Sequence, residues 1–325
     1  MKYLLTIVVL LTLNFSFGQN MEKYTEFTNE AFSLYESKEY KKSAEKYQAA
    51  FDELEGKAYP NDRYNAACSY ALAGDTESSF YHLLYLAENA NIKYRDLNHI
   101  STDTDLNSLH PDDRWNKLIG IVESNKLEYE KDLDKPLVAI LDTIYQLDQG
   151  YRRQISEIEE KYGRNSEEMM AHWKLIQETD SINEIKIKKI LDERGWLGPK
   201  VIGEQGNSTL FLVIQHADLE TQVKYLPMMR EAVKLGNARA NSLALLEDRV
   251  ALRQGKRQIY GSQIGREQET GEYYVSPLVE PEKVNERRAE VGLGTIEDYI
   301  KNWGMTWDLE KHKERTKKLE LGKKE

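Results

Sequence analysis

Apolar residues recur every three or four positions through most of the chain, a spacing that predicts a protein built mainly of helices. Between residues 21 and about 125 the pattern repeats itself. Ala31, Leu34, Lys38, Ser43, Tyr47 and Ala50 return thirty-six positions later as Ala67, Tyr70, Gly74, Ser79, Leu83 and Leu86. All but Lys38 are small or mainly apolar, which predicts two pairs of closely packed antiparallel helices. Residues 100–122 then supply a cap, with Pro111, Asp112 and Asp113 suited to the first turn of a closing helix. Leu137, Leu141, Ile144, Leu147 or Asp148, Tyr151, Ile155, Ile158 and Tyr162 mark one buried stripe on a single long helix. Two further helices are expected at about 166–179 and 180–193, with Asp180 or Ser181 capping the second and Gly195 ending it.

The five consecutive apolar residues 210–214 fit a buried helix or a strand, and we assign a helix. Asp218 caps the next helix, which is expected to be interrupted at Pro227 and to stop at Gly236. Another runs over about 239–254. Residues 258–263 and 273–276 look extended and able to pair as a hairpin. Pro281 opens a helix that Gly292 and Gly294 break, and a last one spans 295–303. The expected organisation is a leader at 1–18, helical repeats at 19–126, a linker at 127–136, a helical domain with a small β-hairpin at 137–305, and a charged, solvated tail at 306–325.

Composition narrows the setting. Lys2, the apolar run 4–13 and the small residues of Ser16-Phe17-Gly18 read as a signal peptide cleaved before Gln19. The mature chain is therefore expected to be exported, periplasmic or secreted, with no membrane span. A formal net charge of −10 argues against nucleic acid as a partner. Cys68 is the single cysteine, so no internal disulfide can form, and its small-residue surroundings suit a core filler. The repeats at 21–125 resemble the tetratricopeptide repeat, although Lys38 stands where that family prefers Gly. Such repeats imply either a concave surface for a peptide or protein partner or simple support for the second domain.

Candidate chemistry gathers between residues 215 and 263. Leu243, Ala244, Leu245, Leu246, Val250, Ala251 and Leu252 surround almost the whole circumference of one helix, which should be central. Glu247, Asp248 and Arg249 then emerge between apolar neighbours and need partners from elsewhere. Arg152, Arg153, Arg287, Arg288 and Asp148 are the candidates. They form either an internal frame or the wall of a polar pocket. Asp148 and Arg152 can also pair on their own helix as a solvated salt bridge. His216, the only histidine of this stretch, is the proton-transfer candidate. On a strand, Gln258, Tyr260 and Ser262 would share one face, suited to directional hydrogen bonds with a polar ligand. No His-Xaa-Xaa-Xaa-His or Cys-Xaa-Xaa-Cys element occurs, so neither a metal nor a cofactor is assigned.

Gly195-Trp196, Gln215-His216-Ala217-Asp218, Leu246-Glu247-Asp248-Arg249-Val250, residues 258–263, Arg287-Arg288 and Gly292-Leu293 together resemble the signatures of an uncharacterised bacterial family known only as a domain of unknown function. Its members usually read Thr where Ser262 stands, which keeps the hydroxyl. The resemblance spans about 137–303 and implies a domain boundary and a site, not a reaction. Three functions follow. The first is a binding module in which Gln215, Arg249, Gln258, Tyr260, Gln263 and Arg152 hold a small polar ligand. The second is a hydrolase-like enzyme with His216 as general acid or base beside Glu247 or Asp248. The third is a structural scaffold of the cell envelope.

Overall fold

Ala31 and Ala67 are completely buried, and the backbone carbonyl of each accepts a serine hydroxyl at 2.8 Å, from Ser43 and Ser79 respectively. Equivalent small side chains thus let two helical hairpins close in the same way, thirty-six residues apart. The first hairpin consists of α1 (20–36) and α2 (Tyr40–Glu53), the second of α3 (Pro60–Leu72) and α4 (Thr76–Glu88). Their turns match as well. Glu39 N–H donates to Leu34 O and Asp75 N–H to Tyr70 O, both at 2.9 Å, around left-handed residues Lys38 (φ 62°) and Gly74 (φ 83°). A short helix α5 (Leu97–Thr102), a 3-10 turn (Thr104–Leu109) and α6 (Asp113–Glu130) follow, and Leu106, Trp115, Leu118 and Val122 pack with Phe80, Leu83 and Leu86 in one core.

The computed structural model describes residues 20–267 and 270–321, so the expected leader and its cleavage point lie outside the described residues. Two units are distinguished, Met1–Lys131 and Asp132–Glu325. The expected linker is shorter than its charge suggested. Helix α6 continues to Glu130, held where Asn125 donates to the carbonyls of Ala87 and Tyr94. Asp134 already caps the next helix by accepting from Leu137 N–H.

The second unit comprises α7 (Lys135–Arg153), α8 (Ile155–Tyr162), α9 (Glu167–Arg194), α10 (Pro199–His216), α11 (Leu219–Lys234) and α12 (Ala240–Arg253). Leu141 and Ile144 of α7, Ile187 and Leu191 of α9, Leu210 and Ile214 of α10, Tyr225 and Met229 of α11, and Leu246 and Val250 of α12 form its core. Strands β1 (Ile264–Arg266) and β2 (Tyr273–Val275) pair antiparallel, with Gly265 opposite Tyr274. After a 3-10 turn (Pro281–Lys283) come α13 (Val284–Glu290), α14 (Ile296–Ile300), a 3-10 turn (Lys301–Trp303) and α15 (Leu309–Leu321). Val275, Leu278, Val284, Ile296 and Ile300 make a second, smaller core there. The protein is therefore mainly α with one small hairpin, and no helix among the described residues is long and apolar enough to cross a membrane.

Several expected elements are corrected. The helix expected over 137–162 breaks at Gln154, whose N–H bonds Tyr151 O in a tighter turn. The two helices expected over 166–193 are one, because the Asp180 carboxylate is engaged by Arg152 instead of capping a new helix. Pro227 does not interrupt α11, since it lies on the exposed face where water can satisfy the carbonyl it frees. The tail, expected to be a fraying, solvated helix end, is a helix as expected but buries His312 and Thr316, while Arg315 pairs with Glu267 and Glu272.

Candidate functional site

Asp248 shows how this unit handles a charge placed in a greasy helix. Its side chain is fully buried, and its carboxylate accepts the backbone N–H groups of Ile259 (2.6 Å), Tyr260 (2.9 Å) and Ser262 (2.9 Å). Burial pushes this carboxyl above its ordinary range, while the three amides pull it back. On the other side of the same loop, Arg287 donates to Ile259 O and Arg288 to Tyr260 O. The loop is clamped between an acid that takes its amides and two bases that take its carbonyls. Gathering three N–H groups on one carboxylate is incompatible with the alternation of a strand. Residues 258–263 are therefore not a strand, and Gln258, Tyr260 and Ser262 share no recognition face; the hairpin starts at Ile264.

Gln258 belongs to that clamp. It is fully buried and its amide bonds Gln263 O, Ser276 O and Gln263 N–H. Gly261 supplies the left-handed backbone (φ 71°) the loop requires, and a β-carbon there would stand 2.9 Å from the Ile296 side chain. Glu247 faces elsewhere, with Arg230 donating to it at 2.8 Å. Neither Glu247 nor Asp248 hydrogen-bonds His216.

The partner of His216 is Asp148. His216 ends α10, and its Nδ1 stands 3.0 Å from Oδ1 of Asp148, which projects from α7 and is only 1 % exposed. Burial pushes the Asp148 carboxyl up, but the His216 hydrogen bond and charge, Arg152 and Gln149 outweigh it and hold the group below its usual range. An ionised Asp148 can only accept, so the neutral imidazole carries its proton on Nδ1. Nε2 is left without a partner among the described residues, on a side chain 18 % exposed. Arg152 bridges two acids, 3.3 Å from Asp148 and 2.7 Å from Asp180 of α9. The Asp148 and Arg152 pair is thus part of a network in which Asp148 is buried and Arg152 partly buried, contrary to the expectation of a solvated bridge.

Cations flank this dyad. The carbonyls on either side of His216, those of Gln215 and Ala217, accept from Arg249 (2.8 Å) and Arg253 (2.7 Å). Arg249 also donates to Gln263 Oε1 at 3.0 Å, and no carboxylate pairs with it among the described residues. Burial, reinforced by the neighbouring charges of Arg253 and Arg152, lowers its guanidinium to about 10. Among the described residues, neither amide atom of the fully buried Asn183, one turn along α9 from Asp180, has a hydrogen-bond partner, nor have Asp180 Oδ1, Gln215 Oε1 and Gln222 Oε1.

Of the residues singled out in the sequence, the structure links Arg152, His216, Gln215, Arg249 and Gln263, reaches Gln258 only through the Gln263 backbone, and sets apart Glu247, Asp248 and Tyr260. Asp180 and Arg253 join the group without having been singled out as site residues. Ligand-type atoms of Asp148, Asp180 and His216 lie within 4.8 Å of one another and could hold a cation, although Arg152 already brings positive charge to both acids. Compared with known families, residues 131–311 match the model described as "Family of unknown function (DUF6624)". No curated protein and no solved structure matches the chain.

Proposed function

The chain belongs to the family of unknown function DUF6624, and from that premise, which carries no reaction with it, we propose that its second unit is an acid–base hydrolase for an oxyanion-bearing substrate, in the first instance a phosphate ester. The observation that carries this reading is the 3.0 Å contact between His216 Nδ1 and the buried Asp148, which leaves Nε2 as the available base. In the proposed step Nε2 takes a proton from water as the water oxygen bonds to phosphorus. The ester oxygen leaves with that proton as its bond to phosphorus breaks. Arg249 and Arg253, with donors not committed to carboxylates, hold the anion, and guanidinium groups suit that geometry. Asp148 positions the imidazole and stabilises its protonated form.

The test is release of p-nitrophenol from p-nitrophenyl phosphate and bis(p-nitrophenyl) phosphate. The wild-type protein should turn one of them over, and His216→Gln should reduce turnover by about 10²–10⁴-fold. Asp148→Asn should lower kcat more than it raises KM. Equal turnover by His216→Gln would refute the assignment. A second reading, a binding module for the same anions, is favoured by the unpaired Arg249 charge. It predicts phosphate binding lost in Arg249→Gln, unchanged in His216→Gln, and no turnover.

Export of the chain and a tetratricopeptide-like role for the first unit, with a peptide or protein partner, belong to the same proposal. The leader pattern supports the former, and the matched Ser43 and Ser79 hydrogen bonds support the latter.

A further inference from the structure

The first unit contains a cavity of about 530 Å³ between α1, α3 and residues 99–105, within the range of small-molecule sites. Its walls include the rings of Phe32, Tyr35, Tyr64 and His99, and its charges are the carboxylates of Asp103 and Asp105. Tyr64 donates its hydroxyl to Asp103 at 3.0 Å and Tyr35 to Asp105 at 2.5 Å. Among the described residues no lysine or arginine pairs with either acid; the nearest basic atom is Nε2 of exposed His99, 3.9 Å from Asp103. Neither phenol adds charge. The bond to Asp105 raises Tyr35 and burial raises Tyr64, so both stay neutral. Cys68, which donates to Asp103 at 3.7 Å, is likewise kept as a thiol by burial and by the two acids.

We propose that this cavity binds an organic cation, a primary ammonium or guanidinium carried on an aliphatic chain, with the aromatic residues of its walls along its sides and Asp103 and Asp105 at its charge. Aromatic rings attract such cations, and two acids that no lysine or arginine neutralises among the described residues supply the matching field. A hard divalent ion is less well served, because it needs six or more oxygen ligands where the walls are rings. An anion would be repelled. The cation could be the side chain of a bound peptide or a free diffusible amine.

Calorimetric titration of the full chain separates the outcomes. The probes are cadaverine, a blocked Gly-Ser-Arg-Ser-Gly peptide, and glutarate as an anionic control. At least one cation should bind and glutarate should not. Tighter binding of the peptide assigns the cation to a partner chain, and tighter binding of cadaverine assigns it to a free amine. Asp105→Asn, which removes a charge without removing a helix cap, should weaken binding about tenfold. Phe32→Ala alters a ring that is 49 % exposed and so leaves the fold intact, and it should weaken binding about threefold. The proposal fails if neither cation binds, if glutarate binds equally well, or if Phe32→Ala leaves the affinity unchanged.

Discussion

Asp148 and Asp248 are both almost completely buried, yet they are answered in different ways. Asp248 is satisfied by backbone amides and does a structural task. Asn at that position would turn an N–H₂ toward at least one of the three donors, so Asp248→Asn should lose about 2–3 kcal/mol in urea unfolding of the second unit. Glu247→Gln, which breaks only a half-exposed pair with Arg230, should lose less than about 1 kcal/mol. Asp148 is satisfied by side chains that can move protons or charge, which is why the proposed chemistry is assigned there. Part of this was legible in the sequence. A charge at a core-facing position of an amphipathic stripe already demanded a partner, and Asp148 shared such a position with Leu147. What the sequence did not contain was the pairing itself, because Asp148 and His216 are 68 residues apart and meet only through the packing of α7 on α10. Asp180 was hidden more deeply, since an Asp followed by Ser reads as a helix cap until Arg152 is seen to hold it.

At the level of elements, local rules held where local energy decides. Gly195, Gly236 and Gly255 adopt positive φ where helices were expected to stop, and Asp218 caps as its position suggested. The loop 258–263 went the other way, because its alternating polar pattern is also what a backbone folded around one carboxylate leaves behind. Gly261→Ala should therefore destabilise the second unit by more than about 1 kcal/mol, the left-handed strain adding to the contact with Ile296, as thermal unfolding would show. Lys38 offers the opposite experiment. It holds the left-handed turn position that Gly74 fills in the next hairpin, so Lys38→Gly should relieve strain and raise the stability of the first unit by about 0.5–1 kcal/mol. Unchanged stability would mean that the two turns are not equivalent.

Across the whole molecule, acid should be the weak point of each unit for its own reason. His82 in the first unit is lowered to about 4 by burial and by Arg63, and His312 in the second to about 4 by burial and by Arg257. An unfolded histidine titrates near 6.5. Between about 6.5 and 4 the unfolded chain takes up protons that the folded chain refuses, so the contribution is intact above 6.5 and falls as the pH drops toward 4. Each histidine accounts for up to about 3 kcal/mol over that window. Denaturant unfolding at pH 7.5 and pH 4.5 should show the loss, and His82→Gln and His312→Gln should each reduce it.

The proposed chemistry depends most directly on the proton of one imidazole. Nitrogen-detected NMR of the neutral His216 ring, assigned by its disappearance in His216→Gln, reads that proton's position. The proton should sit on Nδ1, with a bare Nε2 whose resonance moves on addition of inorganic phosphate, and this preference should disappear in Asp148→Asn. A proton on Nε2, or a spectrum that Asp148→Asn leaves unchanged, would contradict the site.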